Sequence, residues 1–243
     1  MKNKKIFIIQ ISIIIIFLIL WELLTLINIV PTFLFSSPKL ILKTIISLIK
    51  DGSLLIHIYI TLTEVILSFT LGIALAFIIA IILYEMPTLS KILEPFFTML
   101  NSMPKVALGP LLIIIFGANK MTIIIMAILI NMIVSMLHIY NGLNECNPNY
   151  IKIMNIFHAT KYQKLKMLVI PQAKMTIISC LKIHISLTFI GVIMGEFLVS
   201  KAGLGYLIIY GTQIFKMDYV ITGIIILILL SWLIYYLICY ISK

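Results

Sequence analysis

The sequence contains no arginine, and its 18 basic residues are all lysines, against eight acidic residues. Without guanidinium groups, the chain lacks the two-pronged contacts by which arginine recognises phosphate or guanine. Lysines that flank membrane segments account for the formal net charge of +10 without any nucleic acid. We therefore expect no nucleic-acid partner.

Cysteines and metal-ligating motifs are also scarce. The three cysteines, Cys146, Cys180 and Cys239, are widely spaced and odd in number, which argues against a disulfide framework or a thiolate metal site. Neither a G-x-x-x-x-G-K-S/T phosphate loop nor an H-E-x-x-H motif occurs in the sequence. These absences predict a non-catalytic chain without a metal or cofactor of its own. Any energy that it uses must then come from a partner or an ion gradient.

Hydrocarbon side chains dominate what is present. Hydrophobic residues make up 63% of the chain and charged residues 11%, and the mean hydropathy is +1.22. Such values are typical of an integral membrane protein. Apolar runs close to the ~20 residues that a bilayer needs predict a single all-α transmembrane domain over residues 1–243, with its core over 58–241. The six predicted spans cover residues 6–30, 58–84, 92–116, 121–140, 175–199 and 219–241.

The distribution of lysines predicts the orientation of these spans. The lysines within residues 2–5 precede the first span, which lacks a small-residue cleavage site and is interpreted as an uncleaved anchor. With the N-terminus in the cytoplasm, the loop of residues 141–174 lies inside together with Lys91 and Lys243. The remaining lysines between spans then lie outside: Lys39, Lys43, Lys50, Lys120, Lys201 and Lys216. The bias favours a multi-pass cell-membrane protein with both termini in the cytoplasm.

Prolines interrupt the third predicted span at Pro95, Pro104 and Pro110, and its longest unbroken apolar run is too short to cross a bilayer. Irregular backbone at membrane depth is tolerated where it is buried in protein or lines a watery cavity. Lys105 lies beside one break, where an ammonium costs about 2.5–3.5 kcal/mol unless it is paired or hydrated. The segment is a candidate wall of a pathway, although a lysine that reaches the membrane interface explains the same residue.

The fifth span carries Gly191 and Gly195, a G-x-x-x-G ridge that permits close approach of another helix. That helix belongs either to a partner subunit or to the same chain. Glu196 follows the ridge directly, and Glu64 lies within the second span. Because charges at membrane depth are costly, both carboxylates are candidate functional residues.

The loop of residues 141–174 is predicted to begin with a short helix outside the bilayer core. Asn147 followed by Pro148 is an N-cap with proline at the first helical position. Apolar residues then recur with a helical period on one face of this helix: Tyr150, Ile153, Met154 and Phe157.

A second short helix follows in the same loop. Thr160 with Gln163 resembles a capping box that starts it, and Pro171 is predicted to end it. Lysines surround an apolar side that consists of Tyr162, Leu165, Leu168 and Val169. An ordered basic loop of this kind fits either the docking of a partner or attachment to anionic lipid.

Several segments, in consistent order along most of the chain, resemble type I ABC-importer permeases. Residues 147–171 resemble the EAA loop of that family, which implies docking into a groove on an ATPase subunit. Other segments resemble its nitrate, sulfonate and taurine branch: Ser37-Pro38-Lys39, residues 101–111 (NSMPKVALGPL), Phe116-Gly117, Gly195-Glu196-Phe197 and residues 201–208 (KAGLGYLI).

The resemblance implies the membrane-spanning subunit of an ABC importer for a small solute, delivered by an extracytoplasmic solute-binding protein. That solute would be an anion like nitrate, a sulfonate or taurine, or a thiamine precursor. The permease would form a homodimer with two ATPase subunits, which bind the ATP and magnesium. The implied ATPase-docking residues are Tyr150, Ile153, Met154, Phe157, His158, Leu165 and Pro171. The implied translocation-path residues are Pro104, Lys105, Gly191, Gly195, Glu196, Gly203 and Gly205.

The loop departs from the family pattern in two places. Where the family has Glu-Ala-Ala, this chain has Lys152-Ile153-Met154, and the glycine expected six residues after the Glu position is His158. The first change replaces a carboxylate contact to the ATPase with a positive charge. The second removes the conformational freedom of glycine at the turn. We expect a docking element with altered partner specificity, or a weakened transporter.

Three other classes remain possible at this level. A gradient-driven transporter would use Glu64, Glu196 and Lys105 as an ion relay, and its uptake would collapse with the gradient. The transmembrane component of an energy-coupling-factor vitamin importer also docks ATPases through cytoplasmic helices, but with an Ala-Arg-Gly pattern that an arginine-free chain does not have. A purely structural membrane protein leaves the capped loop unexplained.

Overall fold

The computed structural model describes the backbone of residues 2–241 and, except at residues 2–5, 7 and 241, their side chains. Every regular element in this part of the chain is helical. Lys243 and the lysine side chains of residues 2–5, on which part of the predicted orientation depends, lie outside the described residues.

Five of the described helices are long and apolar enough to cross a membrane, and a bent pair of helices gives a sixth span if the pair crosses as one broken segment. The five are α1 (Lys2–Leu26), α4 (Ser53–Glu85), α7 (Lys120–Asn144), α11 (Lys174–Val199) and α13 (Met217–Ile241). The pair consists of α5 (Pro87–Ser102) and, after a 3-10 turn over Lys105–Leu108, α6 (Gly109–Phe116), with a bend of 87°. The predicted break in the third segment is confirmed, and the count is five spans, or six if the bent pair is one span.

The predicted first span is too long at its C-terminal end. Helix α1 ends at Leu26, not at residue 30. Asn28 adopts a left-handed backbone conformation with φ 57°, and the Val30 N–H closes the helix end on the Leu24 carbonyl. Two short helices follow, α2 (Thr32–Phe35) and α3 (Pro38–Lys50).

The chain folds as two compact units, one formed by residues up to 60 with 201–229 and the other by residues 61–200 with those from 230 on. In the first unit α1 packs against α3, and the Lys39 N–H donates to the Glu22 carboxylate. The Thr44 hydroxyl donates a 2.6 Å hydrogen bond to Asp218 at the start of α13.

The second unit contains the largest hydrophobic core. Helices α7 and α11 form its most extensive contact. Buried side chains from α4 and from the loop of residues 141–174 complete the core, including Ala76, Ala80, Leu143, Leu165 and Val169. The loop is therefore packed onto the membrane-spanning helices that it connects.

Candidate functional site

The loop of residues 141–174 folds as a capped helical hairpin. Helix α8 (Pro148–Ile156) begins at Asn147, whose side-chain oxygen accepts a 2.9 Å hydrogen bond from the Asn149 N–H. Helix α9 (Lys161–Lys164) begins with a reciprocal capping box: the Gln163 N–H donates to the Thr160 hydroxyl, and the Thr160 N–H donates to the Gln163 side chain. Both predicted helix starts are confirmed.

The prediction that Pro171 ends the second helix is wrong. A wide π turn over Leu165–Val169 follows α9, and the Ile170 N–H bonds back to the Leu165 carbonyl. Pro171 then lies in α10 (Ile170–Gln172), directly after the wide turn, which accommodates a residue without an N–H to donate. The chain passes on through Ala173, whose N–H donates to the Val169 carbonyl, into α11. The hairpin is thus joined to α11 by nearly continuous helix.

His158 occupies the turn between the two hairpin helices with a φ of 53°, the left-handed conformation that favours glycine. The Ala159 N–H donates to the Met154 carbonyl and the His158 N–H to the Asn155 carbonyl. These two bonds form a Schellman motif, the usual helix ending that places glycine at this position. The turn keeps the glycine conformation although histidine occupies it.

Several large apolar side chains of the hairpin are exposed. The four most exposed, which we together call the hairpin ridge, have exposed fractions of 74% for Ile156, 77% for Phe157, 67% for Tyr162 and 70% for Met167. The other proposed docking residues divide between surface and interior: Tyr150 and Ile153 are about half exposed, Met154 is partly buried, Pro171 is exposed, and Leu165 packs in the core. The sequence did not single out Ile156 or Met167, because neither extends the periodic face that was read from each helix.

The surface of the hairpin is positively charged. Lys152, Lys161 and Lys166 are exposed, and the Lys166 ammonium lies 5.6 Å from the centre of the Tyr162 ring, a cation–π contact on the ridge itself. Cys146 lies buried at the entrance to the hairpin, and this burial raises the pKa of its thiol.

A partly enclosed cavity of about 220 Å³ lies beside the bend between α5 and α6. Lys105 is its charged lining residue, and the Lys105 ammonium donates a 3.3 Å hydrogen bond to the Asn101 carbonyl. The remaining wall is apolar and comes from α4, α5, the turn after Pro104 and α7. The predicted pathway segment therefore does line a cavity.

The glycine ridge of α11 packs against α7 of the same chain. Gly191 and Gly195 are both buried in this contact, so the ridge packs an internal helix. Glu196 is also fully buried, and the Thr61 hydroxyl of α4 donates a 2.6 Å hydrogen bond to its Oε1.

Glu64 and Glu196, from α4 and α11, share a hydrogen bond, which needs a proton on one of the two carboxyls. In the described part of the chain, Oε2 of Glu64 has no hydrogen-bond partner. No hydrogen bond or ion pair between described residues links Lys105 to either carboxyl. Of the three residues proposed as an ion relay, the two carboxyls are therefore in contact with each other, and Lys105 is not in contact with either.

The glycine turn after α11 belongs to the other unit. Gly203 has a φ of 124°, and its N–H donates a 3.0 Å hydrogen bond to Nδ1 of His57. The His57 ring stacks on Tyr206, which follows buried Gly205 in α12 (Leu204–Gln213). No local sequence signal predicts this contact, because His57 and Gly203 are 146 positions apart.

Comparisons with known proteins agree on one class. The family model described as binding-protein-dependent transport system inner membrane component matches residues 68–243. A probable ABC transporter permease protein of Haemophilus influenzae is 27% identical over 220 residues, covering 90% of this chain and 89% of that protein. The putative aliphatic sulfonates transport permease protein SsuC of Bacillus subtilis is 24% identical over 207 residues, covering 85% and 75%. A chain of the MetNI methionine ABC transporter in an inward-facing conformation superposes with a TM-score of 0.70 at 18% identity, covering 79% of this chain and 95% of that one.

Proposed function

Since the chain belongs to the family of binding-protein-dependent transport system inner membrane components and is the permease component of an ABC importer, we propose that the hairpin ridge is the surface on which its ATPase subunit docks. One observation carries this proposal: a folded, doubly capped hairpin presents four large apolar side chains to its surroundings while its other side packs in the core. Exposed apolar patches of this kind mark interaction surfaces.

The hairpin is built to transmit motion. It connects α7 directly to α11, and its inner residues Leu165 and Val169 are packed among side chains of the spans. Displacement of the ridge by closing ATPase subunits would therefore rock α7 and α11 between inward-open and outward-open states. The permease supplies the path and the ATPase subunits hold the ATP and magnesium, so this chain itself performs no catalysis.

The complete importer would contain a homodimer of this chain, two ATPase subunits and an extracytoplasmic solute-binding protein, with both chain termini and the hairpin in the cytoplasm. Family membership supports the ATPase and binding-protein partners. It also decides against a gradient-driven transporter and against an energy-coupling-factor component.

The transported molecule is a small solute, and an anion fits best. The aliphatic sulfonate relative supports this choice. So does Lys105, the charged residue on the wall of the cavity at the broken span. Nitrate, taurine and thiamine-precursor-like heteroaromatics are the other candidates from the same branch.

Docking is tested by co-purifying the tagged permease with its ATPase subunit. Phe157→Asp places a charge on the hairpin ridge and should abolish recovery of the ATPase. Asn155→Asp adds the same charge to an exposed polar position of α8 and should leave recovery intact. Normal recovery with Phe157→Asp would overturn the docking proposal. If Phe157→Asp reduced only binding to vesicles that contain anionic lipid, the hairpin would be a lipid anchor instead.

A further inference from the structure

The cavity at the broken span combines one cation with an otherwise apolar wall. Its lining includes Phe97, Leu100, Met103, Leu129 and Met132 as well as Lys105. We propose that this cavity binds a small organic anion with an apolar body, whose charged group lies on the Lys105 ammonium. This inference rests on the proposed import function and narrows its substrate class.

Among the described residues, none supplies a counter-charge in contact with Lys105. Its hydrogen bond goes to the neutral carbonyl of Asn101, and no described carboxylate forms an ion pair with it. The α7 residues that line the cavity, 129–136, are the central turns of that 25-residue helix. The cavity that Lys105 lines therefore lies beside the middle of a membrane-spanning helix, where a charged side chain is costly and marks a functional site. An anionic ligand would supply the missing charge.

The apolar wall determines what the rest of the ligand must be. An apolar cavity of about 150 Å³ accommodates a benzene molecule, so 220 Å³ leaves room for a hydrocarbon body of comparable or larger size. Three of the lining residues are methionines, Met103, Met132 and Met136, whose flexible thioethers adapt to ligands of differing shape.

The same wall discriminates among the candidate solutes. Nitrate has no apolar part to fill the cavity. Taurine carries an ammonium that would face either hydrocarbon or the like charge of Lys105. An alkyl sulfonate or alkyl carboxylate satisfies both the wall and the lysine.

Binding is measured with 1-hexanesulfonate on the purified full-length chain in phosphatidylcholine nanodiscs, after subtraction of binding to empty nanodiscs. Methanesulfonate supplies the charge without the body, and 1-hexanol supplies the body without the charge. We expect saturable binding of 1-hexanesulfonate that is much tighter than that of either control compound. Lys105→Gln should weaken it by roughly tenfold or more, as expected for loss of a charge-assisted hydrogen bond from a desolvated site.

Two further variants complete the design. Lys91→Gln removes a lysine of α5 that does not line the cavity and should leave binding unchanged. Lys105→Arg keeps the charge and should retain most of the affinity. Equal affinity in wild type and Lys105→Gln, or no binding by wild type, would overturn the site. Because the assay needs no ATPase, such a failure is distinct from failure of ATPase docking on the hairpin ridge.

Discussion

Gly191 of α11 lies against Ala127 of α7 so closely that a methyl group on Gly191 would come within 2.5 Å of the Ala127 Cα. One turn further on, a methyl group on Gly195 would lie 3.1 Å from the Cα of Ile123. Small residues permit this approach of two backbones, and packing between apolar helices in a membrane depends on it. The contact joins the two spans that flank the hairpin.

Gly191→Ala should therefore force α7 and α11 apart. We expect the free energy of unfolding to fall by about 1–3 kcal/mol, the usual cost of overpacking a well-packed core. Thermal unfolding of the purified chain in nanodiscs measures the effect. Met194→Leu, at an exposed position of the same helix, is the matched control and should leave the unfolding temperature unchanged. Equal stability of Gly191→Ala and wild type would contradict the close contact.

The hydroxyl of Thr61 should stabilise the buried Glu196 carboxyl. Thr61→Val keeps the shape of the side chain but removes the donor of the 2.6 Å hydrogen bond. We expect the free energy of unfolding to fall by about 1–3 kcal/mol. In the control Thr70→Val, the lost hydroxyl is exposed and bonds to carbonyls of its own helix. Denaturant unfolding of both variants measures the difference. Equal losses of stability in Thr61→Val and Thr70→Val would contradict a stabilising role of the Thr61 hydroxyl at Glu196.

His158→Gly should stabilise the protein. The left-handed backbone at the hairpin turn strains histidine, whereas glycine adopts φ 53° freely. We therefore expect the free energy of unfolding to rise by about 1 kcal/mol in the glycine variant. His158→Ala separates this backbone effect from loss of the imidazole, since alanine keeps the strain. Thermal unfolding measures both variants. If the unfolding midpoint rose as much for His158→Ala as for His158→Gly, the imidazole ring, and not the backbone strain, would be the cause of the lower stability of the wild type.

The Cys146 thiol should react slowly with maleimide at neutral pH. Burial raises its pKa, so at any given pH the fraction of reactive thiolate is smaller than for a free cysteine, whose pKa is about 8.5. In a variant that retains only this cysteine, the labelling rate should keep rising with pH beyond that value. The same variant unfolded in detergent provides the control. A rate profile that matches the unfolded chain would mean that the hairpin entrance is open.

The sequence alone determined the features that depend on a few neighbouring residues. Hydropathy located the spans, proline placed the break in the third one, and the caps at Asn147 and Thr160 started the hairpin helices where the structure has them. Each depends on local composition or on hydrogen bonds within about four residues, so a linear pattern contains the necessary information.

Only the tertiary structure decided which helix faces meet. The spans are apolar on nearly every side, so their periodicity does not distinguish a face turned to lipid from one turned to the core. The pairing of Glu64 with Glu196, the contact of Gly191 with Ala127 and the cavity around Lys105 each depend on the packing of separate helices. At Pro171, packing overrode the local signal, because a wide turn held in the core accommodates a residue that normally ends a helix.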